Sequence, residues 1–167
     1  MIAVSWPGYG FHGFIVTVGA ACVLLMLRLK LEAVCLATSA GIGSLVTNIL
    51  KLIVARSRPA AELVEIYVSH RTMSFPSGHV VSYLALYGFL FYLIYVLMPR
   101  SRLRSFLMTI LGALLSLVGL SRIYLGAHCA SDVIGGYCLG SCWLMLVIHF
   151  YCAAKQRPQR LKDTKKH

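Results

Sequence analysis

The sequence is poor in acidic residues. Only five of its 167 residues are Asp or Glu, and charged residues make up 13% of the chain, against about 25% in typical soluble domains. The acids are scattered: Glu32, Glu62, Glu65, Asp132 and Asp163. A two-metal catalytic site of the kind many phosphatases use needs several converging carboxylates. This chain can hardly supply them.

Cysteine pairs with metal-binding or redox spacing are also lacking. None of the six cysteines forms a C-x-x-C pair, and most lie inside apolar runs, where a thiol behaves as a small hydrophobic group. The pattern argues against a zinc site and against a disulfide framework. We therefore predict no bound metal and no cofactor.

Apolar residues, in contrast, are abundant. They make up 59% of the chain, above the roughly 45–50% usual for globular domains. Five apolar runs, each close to the roughly 20 residues that span a hydrocarbon core, cover about 11–27, 33–55, 80–98, 106–120 and 133–153. They lack the alternation of membrane β-strands. The sequence predicts an all-α integral membrane bundle of about five transmembrane helices.

The basic residues predict the orientation of this bundle. Net charge is +11, and the connections after the first and third runs are basic, as is the tail. With five spans these segments share one side, which is cytoplasmic by the positive-inside rule. The first run has no signal-peptide features and is predicted to be a retained helix. Nucleic-acid binding would need a soluble basic face, which this chain offers hardly anywhere, so we expect membrane lipids as its surroundings.

Topology does not explain every cation. The outward connections, about 56–77 and 121–131, hold four arginines: Arg56, Arg58, Arg71 and Arg122. Lys51 lies near the outer end of the second run, where an ionisable group is costly unless it reaches the interface or serves a site. Lys51, Arg58 and Arg122 at one membrane face would make an anion site, because arginine forks suit phosphate oxygens.

Two further clusters border the same face. Ser77 and Gly78 precede the third run, so their N–H groups would point at an anion at a helix N-terminus; helix capping by Ser77 is the alternative. His128 and Asp132 are four residues apart and would share a helix face. A carboxylate there would orient the imidazole for nucleophilic attack, with a purely structural hydrogen bond as the alternative.

Taken together, these clusters resemble the type 2 phosphatidic acid phosphatase (PAP2) family, in its membrane lipid phosphatase branch. The pattern K-x6-R-P, P-S-G-H, S-R-x5-H-x3-D is matched at every position and covers about residues 48–136. The matched residues are Lys51, Arg58, Pro59, Pro76, Ser77, Gly78, His79, Ser121, Arg122, His128 and Asp132.

The resemblance implies a lipid phosphatase that works without a metal. His128 would be the nucleophile that forms a phosphohistidine, Asp132 would orient it, and His79 would protonate the leaving oxygen. Phosphate would be held by Lys51, Arg58, Ser77, Gly78 and Arg122. The substrate would be a lipid phosphate or diphosphate, such as polyprenyl diphosphate, phosphatidate, phosphatidylglycerol phosphate or lipid A phosphate. Phosphotransfer to a lipid or sugar acceptor, and non-catalytic binding of anionic lipid, remain as alternatives.

The apolar runs, the loop charges and the resemblance together predict an organisation for the chain. Residues 1–154 would form the transmembrane phosphatase-like domain and residues 155–167 a basic, frayed cytoplasmic tail. The active site would face the outside of a bacterial cell membrane. Membrane members of the family commonly have six helices, so the helix that is absent here would be at the N-terminus, in a chain that is either naturally short or truncated.

Overall fold

The computed structural model describes residues 10–56 and 73–164, with side chains described through Gln156. These parts of the chain contain five helices and no strand: α1 Gly10–Met26, α2 Lys30–Val54, α3 Gly78–Leu97, α4 Arg102–Tyr124 and α5 Ala130–Thr164. Helices α2 to α5 are long and apolar enough to cross a membrane, and α1 is a shorter apolar helix. The all-α membrane bundle predicted from the apolar runs is confirmed.

The helices extend beyond several of the apolar runs. Helix α4 begins at Arg102, where the Ser101 side chain accepts a hydrogen bond from the Arg104 N–H at 3.2 Å and so caps the first turn. The apolar run of about 106–120 does not include the polar ends of this helix, because charged and polar residues there continue the helix beyond the apolar stretch. Helix α5 likewise continues to Thr164, so the prediction of a frayed tail after residue 154 is wrong for most of the tail.

Helix α3 is the central helix of the bundle, because about half of its membrane-spanning part is buried. It contains a π-helical segment, Leu84–Gly88. The Ser39 hydroxyl of α2 donates to the carbonyl of Ala85 within this segment at 2.9 Å. This bond satisfies a backbone acceptor inside the membrane-spanning part of the bundle.

Close approach between α3 and α5 depends on two glycines. A Cβ at Gly140 would lie 2.6 Å from Leu84 Cδ1, and one at Gly136 would lie 3.0 Å from the carbonyl oxygen of Ser77. Small residues at this spacing let helix backbones come together. The contact fixes the start of α3 beside the start of α5, and that junction forms part of the site.

Two turns with the same hydrogen-bond pattern lie at opposite ends of the bundle. After α1, Leu29 N–H donates to Leu24 O at 2.8 Å, and Arg28, with φ 60°, is the left-handed residue. After α4, Ala127 N–H donates to Arg122 O at 3.2 Å, with left-handed Gly126 before it. Both are Schellman motifs, which satisfy the last carbonyls of a helix.

Candidate active site

The predicted site residues that the structure describes come from four helices that meet at one end of the bundle and from the segments next to them, with Ser77 just before α3 and His128 between α4 and α5. Lys51 is in the last turn of α2, Gly78 and His79 begin α3, Arg122 is in the last turn of α4, and Asp132 is in the first turn of α5. His79 and Asp132 thus lie in the first turns of their helices. Arg58 and Pro59 lie outside the described residues.

The His128–Asp132 pair is present, but it is built differently from the prediction. His128 precedes α5, which begins at Ala130, so the two residues do not share a helix face. Instead, the left-handed Gly126 turns the chain after α4 and returns His128 toward the start of α5. His128 Nδ1 then lies 3.6 Å from Asp132 Oδ2, and both side chains are almost fully buried.

The carboxylate of Asp132 is held by groups from three other segments. Its Oδ2 accepts from the Cys129 N–H at 3.0 Å and from the Ser74 hydroxyl. Its Oδ1 accepts from Arg56 Nη1 at 3.0 Å. Asp132 itself is fully buried, and burying a carboxylate is costly unless it has such partners. The structure thus places the predicted orienting acid beside His128, and its role stays a prediction.

Arg56 and Ser74 are site residues that sequence reasoning missed. In the sequence, Arg56 is a cation that topology does not explain, and it lies in the same stretch as Lys51 and Arg58. Ser74 stands two residues before the P-S-G-H segment and is fully buried. A signal for Ser74 was present in the sequence, because a serine next to a motif at a predicted membrane interface calls for a hydrogen-bond partner.

The start of α3 differs from the expected anion-binding arrangement. The Ser77 N–H donates to the Asp132 carbonyl at 3.0 Å, so this amide is already engaged and does not point at an anion. The alternative role as a helix cap is not found either, because the Ser77 side chain makes no capping hydrogen bond. Its buried hydroxyl remains beside the carboxylate-bearing helix, and its backbone joins α3 to α5.

Lys51 and Gly78 lie next to each other, in agreement with the prediction that their two clusters border the same face. A Cβ at Gly78 would lie 3.7 Å from Lys51 Cε and 3.6 Å from Thr47 Cγ2, so the lysine side chain passes over the first residue of α3. Lys51 Nζ donates to the Met73 carbonyl at 2.7 Å. Its ammonium group is therefore directed toward the segment that approaches the start of α3.

Positive charge exceeds negative charge at this end of the bundle. The described residues contribute three cations, Lys51, Arg56 and Arg122, and one carboxylate, Asp132. Arg122 is only 1% exposed, and burying a guanidinium is costly unless it has polar or anionic partners. A site of this charge is suited to a phosphate group.

These features define a class: an all-helical membrane protein with a buried histidine–carboxylate pair among cations at one end of its bundle. Comparison with known proteins gives the family. The chain belongs to the PAP2 superfamily, which matches residues 32–156. This match covers the described elements from α2 through the membrane-spanning part of α5.

A curated sequence and a solved structure that are similar to this chain both come from Bacillus subtilis. Phosphatidylglycerophosphatase B of strain 168 is 36% identical over 112 residues, which are 66% of this chain and 53% of that protein. The chain therefore spans about half the length of this curated relative. A crystal structure, described as the first transmembrane PAP2 type phosphatidylglycerolphosphate phosphatase, matches with a TM-score of 0.77 and 28% identity, covering 89% of this chain and 73% of that one.

Proposed function

We propose that the chain is a membrane phosphatase that hydrolyses a lipid phosphate through a phosphohistidine on His128. The observation that carries this proposal is the buried His128–Asp132 pair, with 3.6 Å between Nδ1 and Oδ2, placed among cations. An imidazole oriented by a carboxylate is the arrangement that activates a nucleophile. Membership of the PAP2 superfamily supports the same chemistry.

The geometry suggests which nitrogen reacts. Nδ1 of His128 faces the carboxylate of Asp132, so Nε2 is the nitrogen that attacks phosphorus. The N–P bond forms as the bond from phosphorus to the lipid oxygen breaks, and His79 donates its proton to that oxygen. A water molecule then attacks the phosphohistidine and gives a proton to His79. The N–P bond breaks, and inorganic phosphate leaves.

Cations would supply the stabilisation that metal ions supply in other phosphatases. Lys51, Arg122 and the Gly78 N–H at the start of α3 are positioned at the same end of the bundle as His128. We propose that they bind the phosphoryl oxygens, together with Arg58. Fixed positive groups of this kind stabilise the charge that develops on the oxygens in the transition state.

A lipid substrate is supported by the surroundings of the site. A cavity of about 530 Å³ lies between α1, α2 and α3, within the size range of about 300–1,000 Å³ typical of ligand pockets. Its lining is mostly apolar and includes Ser82 and Tyr83, about one turn along α3 from His79. A lipid headgroup at His79 would thus have an apolar space beside it for part of its chain.

The relatives suggest which lipid to test first. Both are named as phosphatases of phosphatidylglycerol phosphate, so we propose this lipid ahead of phosphatidate, polyprenyl diphosphate and lipid A phosphate. We also propose that the site end faces the outside of a bacterial cell membrane, as the distribution of loop charges favours. The basic residues after position 154 would then lie in the cytoplasm.

The test is phosphate release by the purified protein in detergent with EDTA present. We expect release from phosphatidylglycerol phosphate by the unaltered protein and a loss of at least about a thousandfold in His128→Ala, because the nucleophile is removed. His149→Ala is the matched control, since His149 is exposed on α5 away from the site. Its activity should be unchanged.

Four outcomes would contradict the proposal. Activity that needs Mg²⁺, or that survives His128→Ala, would exclude the histidine mechanism. Phosphate recovered on a lipid or sugar acceptor in place of free phosphate would make the protein a transferase. Binding of the lipid by folded protein without any turnover would favour a non-catalytic lipid-binding protein.

A further inference from the structure

Arg56 stands outside the family pattern that the sequence matches. It lies between Lys51 and Arg58 in the chain and directly follows Ala55, whose left-handed backbone, with φ 46°, ends α2. The Arg56 carbonyl accepts from the Ser74 N–H at 2.9 Å. This backbone bond ties the chain leaving α2 to the chain that approaches α3, and so it fixes where the Arg56 side chain starts.

The guanidinium of Arg56 contacts the start of α5 at two points. Nη1 donates to Asp132 Oδ1 at 3.0 Å and to Ser131 Oγ at 2.8 Å. The arginine side chain is 42% exposed, whereas that of Asp132 is fully buried. An ion pair between two exposed groups contributes little stability. Here the carboxylate is desolvated, so its energy and its orientation depend more strongly on where its partners lie.

The two oxygens of Asp132 therefore have different partners. Oδ1 faces Arg56, and Oδ2 faces His128 together with Ser74 and the Cys129 N–H. A carboxylate held at both oxygens cannot rotate about its terminal torsion. Groups that fix an orienting residue in this way typically change activity by about 10–100-fold when they are removed.

We propose that Arg56 is a positioning residue for the reaction at His128: its guanidinium fixes and charge-compensates the Asp132 carboxylate that orients the imidazole. This inference rests on the proposed function, because it presupposes that His128 reacts. Arg56 acts through Asp132 and does not itself bind the phosphate. Its removal should therefore slow turnover and leave substrate affinity largely intact.

The first measurement is a comparison of Arg56→Gln with Arg56→Lys in the detergent assay with phosphatidylglycerol phosphate. For Arg56→Gln we expect kcat to fall about 10–50-fold with KM within about threefold. Arg56→Lys should recover most of the loss, because an ammonium can still pair with Oδ1. Ser131→Ala, which removes only one guanidinium contact, should lower kcat by about two- to fivefold.

The second measurement is a double-mutant cycle with Asp132→Asn. If Arg56 acts through Asp132, adding Arg56→Gln to Asp132→Asn should change kcat by less than about twofold. Arg104→Gln is the matched control, because Arg104 lies at the other end of the bundle, where it bonds to the Met98 carbonyl. It should leave both kinetic constants unchanged.

Two results would overturn the inference separately from the proposed function. If Arg56→Gln raises KM and does so equally in the Asp132→Asn background, Arg56 binds substrate directly. If His128→Ala is inactive but Arg56→Gln and Arg56→Lys match the unaltered protein, Arg56 has no positioning role while the histidine mechanism stands. Activity that persists in His128→Ala would instead remove the mechanism itself.

Discussion

The two ends of the bundle each hold a buried carboxylate paired with a half-exposed cation. At the site end, Asp132 in the first turn of α5 lies 3.0 Å from Arg56, and the two side chains are 0% and 42% exposed. At the other end, Glu32 in the first turn of α2 lies 3.1 Å from Lys155, with exposures of 7% and 46%. Both acids also suit the helix dipole at their positions.

The remaining partners separate the two pairs. Glu32 accepts from the Tyr151 hydroxyl at 2.8 Å, and Lys155 also bonds to that hydroxyl at 2.5 Å, so this cluster joins α2 to α5. Asp132 instead faces a histidine. In the proposed mechanism, the same electrostatic arrangement therefore stabilises a helix pair at one end and orients a reacting group at the other. Only the contacts beyond the ion pair distinguish the two roles.

The largest effect should come from making the same isosteric change at both ends. Asp132→Asn should lower kcat by about 10³–10⁴-fold, because the amide neither compensates an imidazolium nor holds the correct tautomer of His128. Glu32→Gln should leave kcat within about twofold. It should instead lower the unfolding free energy by about 1–2 kcal/mol, because the charge of the buried carboxylate is lost from its ion pair. The loss stays this small because water can hydrate the half-exposed Lys155.

Assays with phosphatidylglycerol phosphate and thermal unfolding in detergent would measure both effects. The comparison fails if Glu32→Gln loses activity as strongly as Asp132→Asn while remaining folded. In that case the carboxylate cluster at the other end would be coupled to the site, and the assignment of Glu32 to stability alone would be wrong.

The hydroxyl partners should sharpen the contrast. Ser74→Ala removes the hydroxyl that donates to Asp132 Oδ2, and we expect kcat to fall about 10–100-fold because the carboxylate loses one fixed contact. Tyr151→Phe removes the corresponding hydroxyl from Glu32 and should reduce stability by about 1 kcal/mol without changing kcat. Equal kinetic effects of the two substitutions would contradict the distinction.

The fold and the clustering of most candidate site residues were predictable, because both follow from strong local sequence patterns. Apolar length specified the helices, and the motif spacing led to Lys51, His79, His128 and Asp132. The helix ends were less predictable. Arg102 and Arg122 lie on α4, although their charge places them outside the apolar run. The exposed side chain of Arg102 can extend away from the core at a membrane interface, whereas Arg122 is buried at the site end.

The tertiary contacts of the site were not predictable from one sequence. The bonds from Arg56 and Ser74 to Asp132 join residues 76 and 58 positions apart, and no local pattern specifies such pairs. The hydrogen bond from the Ser77 N–H to the Asp132 carbonyl also joins residues that are far apart in the sequence. Motif spacing predicts which residues take part, whereas packing decides which of their atoms remain for a ligand.

The two Schellman turns extend the comparison to the backbone. Gly126 has φ 64° and precedes His128 by two residues, so a side chain there would strain the turn that positions the imidazole. Gly126→Ala should cost about 1–2 kcal/mol of stability and lower kcat by about three- to tenfold through displacement of His128. Assay and thermal unfolding of the same sample would test both effects, and unchanged kcat would show that the turn tolerates strain without moving His128.

The smallest effect should come from the corresponding turn at the other end. Arg28, with φ 60°, is the left-handed residue there, and a left-handed side chain costs about 1–2 kcal/mol. Arg28→Gly should raise stability by about 0.5–1 kcal/mol, because the relief of strain exceeds the entropy that glycine adds to the unfolded chain. Arg28→Gln removes the charge but keeps the strain, so it should give no such gain. Neither variant should alter kcat, since this turn lies away from His128, and an activity change in Arg28→Gly alone would show that backbone strain at this end is transmitted to the site.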